Sequence, residues 1–91
     1  MVGTQVRKVI LDVLKPRQPS IQDMASKLAS LHGVDNVGVS VVEIDESTES
    51  VKVSMEGSDI AMESVRKTME RLGAVIHSID EVLVSKKPKT V

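Results

Sequence analysis

The sequence has no aromatic residue and no cysteine among its 91 positions. Without Phe, Tyr or Trp, no side chain can offer an aromatic ring to a base or a flavin, which excludes the stacking platforms of many nucleic-acid binders. Without cysteine, disulfides, thiolate metal sites and cysteine nucleophiles are excluded. The core must be built from aliphatic side chains and methionine, and the 16 valines favour strands.

An excess of one charge and a long apolar run are also missing. The chain carries 12 basic and 13 acidic residues, a net charge of −1, whereas nucleic-acid-binding domains are usually basic. No apolar run approaches the roughly 18 residues of a membrane span, and the first residues lack the apolar stretch of a signal peptide. We therefore expect a cytoplasmic protein that binds neither nucleic acid nor membranes.

Four segments rich in β-branched residues predict strands, at residues 6–14, 36–46, 50–56 and 74–84. The second of these alternates through Val37, Val39 and Val41 and then slips by one position at Val42. Such a slip predicts a β-bulge, or a strand covered on both faces.

Two further segments have apolar residues at helical spacing. The first covers residues 21–32 with Ser20 as its N-cap, and the second is capped by Ser58 or Asp59 and ends at Gly73. With right-handed crossovers, the order βαββαβ predicts a ferredoxin-like α+β fold, a four-stranded antiparallel sheet with both helices on one face. We expect one domain over residues 1–91, with a core at about 5–84 and a flexible basic tail at 85–91.

The first and last predicted strands carry apolar residues on both faces and are neighbours in this topology. Strict alternation predicts an apolar patch on the helix-free face of the sheet that consists of Ile10, Leu14, Ile76, Val82 and Val84. Monomers seldom expose a large patch, so we expect a homo-oligomer, a ring or a dimer, that assembles through the sheet face or its edges. The alternative interpretation is ordinary scattered surface hydrophobics.

One group of polar residues is a candidate metal site. Asp12 lies within an apolar strand, where a carboxylate is costly unless it is paired. Pairing of the first and last strands brings it towards His77, with Asp80 and Glu81 close behind. These four residues are the predicted metal ligands, and carboxylate oxygens suit Ca²⁺ or Mg²⁺. The alternative is a structural hydrogen bond or ion pair, such as a cross-strand pair between Lys8 and Glu81.

No catalytic or cofactor-binding motif is present, and no catalytic or cofactor-binding residue is predicted. Lys15 and Arg17 lie just before the first helix and form a weak candidate for an anion site, because the loop lacks the glycines that let the backbone approach a phosphate.

Three segments, VILDVLKPRQPSI, NVGVSVVEIDESTESVKV and GAVIHSIDEV, resemble an archaeal family known as domain-of-unknown-function family 211. The resemblance covers about residues 5–84, and its most distinctive segments are LDVLKP and IHSIDEV. It implies a ferredoxin-like fold and ring-like or other homo-oligomers, and it implies no established activity. These two segments contain Asp12, His77, Asp80 and Glu81, which makes these residues the best site candidates.

These observations favour a non-enzymatic, homo-oligomeric module that binds a small ligand or a divalent cation at its subunit interfaces. The first alternative is a regulatory sensor similar to amino-acid-binding ACT domains, although the prolines after the first strand count against it. The second is an enzyme that uses Asp12 and His77 as an acid–base pair, although so short a chain has no pocket-forming insertion.

Overall fold

The computed structural model describes residues 3–88, and its elements follow the order βαββαβ. They are β1 (Thr4–Pro16), α1 (Ile21–Ala29), β2 (Val34–Ile44), β3 (Thr48–Gly57), α2 (Met62–Arg71) and β4 (Val75–Lys86). The strands form one antiparallel sheet in the order β2-β3-β1-β4. This is the predicted ferredoxin-like fold, with β2 and β4 at the two edges of the sheet.

The core lies between the inner strands and the helices. Alternate residues of β1 and β3 are completely or almost completely buried, as expected for strands that are covered on one face: Val9, Leu11, Val13, Val51, Val53 and Met55. Helical residues at the spacing of one helix face complete this cluster: Met24, Leu28, Val65 and Met69. The opposite face of the sheet carries no helix, and we call it the open face.

The two helices begin differently. Ser20 caps α1 as predicted, because its hydroxyl accepts a hydrogen bond from the Asp23 amide at 3.1 Å. The predicted cap of α2 is wrong, since its N-cap is Ala61, which makes no side-chain hydrogen bond. The amides of Ser58 and Asp59 instead donate to the carbonyl of Gly33, at 3.0 and 3.3 Å.

Three strands, β1, β3 and β4, are longer than predicted. Pro16 still pairs with Thr48, and Lys86 pairs with Thr4 at the far end of the sheet. The first residues of the predicted flexible tail therefore belong to β4, while residues 89–91 lie outside the described part of the chain. The bulge expected in β2 is confirmed by a register shift against β3 between Val41 and Glu43.

Two glycines meet where β2 starts and β3 ends. Gly33 has a φ of +85°, a conformation that residues with a Cβ rarely adopt. A Cβ at Gly57 would lie 1.9 Å from the carbonyl oxygen of Gly33, and a Cβ at Gly33 would lie 2.1 Å from that of Asp59. The backbone segments at this junction are therefore close enough to exclude any side chain.

We expect Gly57→Ala to lower the free energy of unfolding by more than about 2 kcal/mol, because the backbone must move to admit the methyl group. Urea denaturation measures the change. Gly38→Ala is the matched control, since nothing lies within 4 Å of a Cβ there, and it should leave stability unchanged or slightly raised. Equal losses in both variants would contradict the role of this junction.

Candidate functional site

Strand β4 does not alternate simply. Its register against β1 shifts three times. Two of the shifts leave His77 and Asp80 without a partner residue on β1, and the third leaves Arg7 of β1 without a partner on β4. The residues that pair with the buried side of β1 are therefore spaced by three: Ile76, Ile79 and Val82, opposite Val13, Leu11 and Val9. The bulges at His77 and Asp80 each insert one residue into β4. The side chains that follow each bulge therefore lie on the face opposite to the one that strict alternation predicts.

The bulges correct the predicted interface set. Ile10 and Leu14 lie on the open face, but Ile76 and Val82 lie on the helix side, so the prediction that they share one face is wrong. Val84 pairs with Val6 beyond a third register shift. Strict alternation assigned these faces, and it fails wherever a strand contains a bulge.

The exposed apolar surface lies along the edges of the sheet. Among residues 3–88, nine large hydrophobic side chains are exposed, and eight of them belong to the two edge strands. Five are on β4 and three on β2: Val75, Ile79, Val82, Leu83 and Val84, then Val41, Val42 and Ile44. The ninth is Leu14 on β1. The sequence-based prediction thus missed Val75, Ile79 and Leu83, and the whole β2 group.

A groove of about 540 Å³ separates α2 from β4. Its apolar lining consists of Met62, Met69, Ala74, Val75, Ile76 and Ile79. Its charged lining residues, Glu63, Arg66 and Glu70, are paired with one another, since Arg66 bonds to both carboxylates. The hydrogen bond from Arg66 and its charge lower the pKa of Glu63. The surface left to interact in this groove is therefore mainly apolar.

The predicted metal ligands are spread over the open face and the edge. Asp12 and His77 line a shallow hollow of about 240 Å³. Asp80 accepts a hydrogen bond from Ser78 at 2.8 Å and lies 3.9 Å from the Lys52 ammonium. Over residues 3–88, no group of three or more His, Cys, Asp or Glu side chains is placed to hold a metal ion. One chain therefore does not bring the four residues together as a ligand set.

The predicted pair between Lys8 and Glu81 is confirmed, at 3.3 Å between Nζ and Oε2. Lys8 is on β1, and Lys52, the partner of Asp80, is on β3. Both acidic side chains of the bulged segment are thus paired with lysines of the inner strands, away from the free side of β4.

The anion-site interpretation is wrong for Lys15. Its side chain is fully buried, and its ammonium donates to the carbonyls of Pro16 and Arg17, at 2.8 and 3.2 Å, and to Glu49 at 2.9 Å. All three donors of the ammonium are used. A sequence signal was present, because Lys15 continues the alternation of buried residues along β1 and so falls on the core face.

Arg17 extends this connection. Its guanidinium donates to the carbonyl of Asp45 at 2.9 Å. Lys15 and Arg17 therefore join the β1–α1 loop to the β2–β3 hairpin, with Glu49 and Asp45 as their acceptors on the hairpin side.

The similarity to known proteins covers almost the whole of this domain. The family model of DUF211, described as uncharacterized, matches residues 7–88. The chain belongs to the DUF211 family. An uncharacterized protein of Methanocaldococcus jannaschii is 49% identical to this DUF211 chain over 82 residues, which is 90% of this chain and 84% of the relative. No helix within residues 3–88 is long and apolar enough to cross a membrane.

In this DUF211 chain we expect Lys15→Met to lower the free energy of unfolding by about 3 kcal/mol, because the partly buried Glu49 carboxylate and two carbonyls lose their donor. Urea denaturation measures the loss. Lys8→Met is the matched control, since both members of the Lys8–Glu81 pair are partly exposed, and it should cost less than about 1 kcal/mol. A loss in Lys15→Met as small as that of the control would refute the assignment.

Proposed function

We propose that this DUF211 chain is a non-enzymatic module that assembles with copies of itself, and that the subunits contact one another along β4. One observation carries the proposal. Five large hydrophobic side chains of β4 are exposed, and an apolar groove adjoins the strand. Exposed apolar side chains grouped along one edge strand are typical of an interaction site, because monomers seldom leave much apolar surface uncovered.

The lengths of the elements explain why the chain cannot cover this surface itself. At about 1.5 Å per residue, the ten residues of α2 span roughly 15 Å. At about 3.3 Å per residue, the twelve residues of β4 span roughly 40 Å. The outer side of β4 also has backbone N–H and C=O groups that no strand within residues 3–88 pairs.

The non-enzymatic part of the proposal is supported by the state of the polar groups. Asp80 and Glu81 are paired with Lys52 and Lys8, as is common for structural cross-strand ion pairs. The hollow beside Asp12 is open and small, at about 240 Å³.

We further propose that Ca²⁺ or Mg²⁺ binds between subunits. The candidate ligands Asp12, His77, Asp80 and Glu81 all lie on β1 and β4. A contact along β4 would place oxygen atoms of a second chain beside these residues, and shared ligands could then reach the six to eight oxygens that Ca²⁺ prefers. As an alternative to a cation, we propose that a small molecule binds at the same interface.

Native mass spectrometry of the full chain at micromolar concentration tests the assembly. We expect an oligomer, and we expect Leu83→Asp to weaken assembly more than about tenfold, because an unpaired charge would enter the contact. Leu83 is 53% exposed, so the substitution should not disturb the core. Gln22→Asp adds the same charge on exposed α1 and should leave assembly unchanged. A wild-type chain that is monomeric at all concentrations would overturn the proposal.

Native mass spectrometry also tests whether a cation or a small molecule is bound. After dialysis against a chelator, added Ca²⁺ or Mg²⁺ should give a mass increase per subunit interface, and Asp12→Asn should reduce it. An unchanged mass on cation addition, or the same increase in Asp12→Asn, would remove Asp12 as a ligand. Mass retained by the purified oligomer and lost on denaturation would report a small molecule.

A further inference from the structure

The proposed function leaves open which surface of the second copy covers β4. We infer, resting on that proposed function, that it is β2: the free edge of β4 in one copy pairs antiparallel with the free edge of β2 in the next. Each copy then offers one edge of each kind, and the subunits are arranged head to tail.

The distribution of basic residues and proline supports this inference. Proteins commonly protect free sheet edges with lysine or proline, which discourage the addition of another strand. Here β2 contains no Lys, Arg or Pro, and β4 contains none before its last residue, Lys86. The inner strands carry these residues instead: Arg7, Lys8, Lys15, Pro16 and Lys52. Apart from Lys86, both edges thus lack the lysine and proline residues that most directly discourage strand addition, although either edge could have carried them.

The apolar side chains have the complementary distribution. Eight of the nine exposed large hydrophobics among residues 3–88 lie on these two edge strands. The acidic residues of β4 do not obstruct its edge, since Asp80 and Glu81 are paired with Lys52 and Lys8 on the inner strands. Both partners therefore combine free backbone groups with apolar side chains.

The strand directions fit as well. β4 is antiparallel to β1, and β2 is parallel to β1 because both are antiparallel to β3. A second copy placed beside the first in the same orientation therefore sets its β2 antiparallel to β4, with the helices of both copies on the same side. The lengths match, at 11 residues for β2 and 12 for β4.

Such pairing also covers the groove. The helix side of β4 presents Ile76, Ile79 and Val82, and the helix side of β2 presents Val37, Val39 and Val41. The two rows would extend one apolar layer across the contact. The second copy would then close the open side of the groove between α2 and β4, which Ile76 and Ile79 line.

The symmetric contacts are less favourable. A β4–β4 contact would leave the exposed side chains of Val41, Val42 and Ile44 on β2 uncovered. A β2–β2 contact would leave the five exposed hydrophobics of β4 and the groove uncovered.

Two full-length variants that each disable one edge test the inference by native mass spectrometry. Ile79→Lys disables β4 and Val41→Lys disables β2, at positions that are 53% and 39% exposed. We expect each variant alone to be monomeric. Mixed at equal concentration, they should form a complex of two chains and nothing larger, because one chain supplies an intact β2 and the other an intact β4.

Leu14→Lys is the matched control, since Leu14 is 42% exposed but lies on the inner strand β1, and it should assemble like the wild type. Assembly of Val41→Lys alone would indicate a β4–β4 contact, and assembly of Ile79→Lys alone a β2–β2 contact. Dissociation by Leu14→Lys would indicate a contact through the open face. Each of these three results overturns the inference. A β4–β4 contact leaves the proposed contact along β4 intact, whereas a β2–β2 or open-face contact overturns that contact as well.

A second pair, Val82→Lys and Val42→Lys, guards against misfolding of the first, since these positions are 50% and 63% exposed. Circular dichroism establishes that each variant is folded. If neither folded pair yields a two-chain complex while the wild type is oligomeric, the inference is wrong. If the wild type itself is monomeric, the proposed function fails.

Discussion

Two helices of nine and ten residues cannot cover four strands of ten to thirteen residues. A helix rises about 1.5 Å per residue and a strand about 3.3 Å, so each helix covers less than half the length of the strand beneath it. The fully buried residues are accordingly concentrated on the inner strands β1 and β3. Most of the exposed apolar surface, on β2 and β4, follows from this difference in length and from the position of these strands at the edges.

The bulges of β4 determine which of its side chains lie on the helix side of the sheet and which lie on the open face. Because two residues of β4 are inserted relative to β1, the residues that face the helices between Ile76 and Val82 are spaced by three. The inserted Asp80 and the neighbouring Glu81 are paired with lysines of the inner strands. The strand therefore keeps its charges on the open face and its free edge apolar, which is an arrangement suited to pairing with another strand.

Polar and backbone contacts hold the ends of the sheet. At one end, the buried ammonium of Lys15 connects the β1–α1 loop with Glu49 at the start of β3. At the other, Gly33 and Gly57 bring β2 and β3 together at a distance that no side chain would permit. In a core without aromatic residues, such contacts hold the connecting segments where hydrophobic packing does not reach them.

The sequence by itself determined the order of the six elements, the Ser20 cap, the bulge in β2 and the Lys8–Glu81 pair, because these depend on local spacing and on the pairing of neighbouring strands. The burial of Lys15 could also have been predicted from the sequence, because Lys15 continues the alternation of buried residues along β1. Only the tertiary structure decided the faces of Ile76 and Val82, since the bulges of β4 are defined by its register against β1. It likewise decided that Asp12, His77, Asp80 and Glu81 do not form a ligand set within one chain, because the bulges at His77 and Asp80 and the pairing of Asp80 with Lys52 depend on the register of the whole sheet.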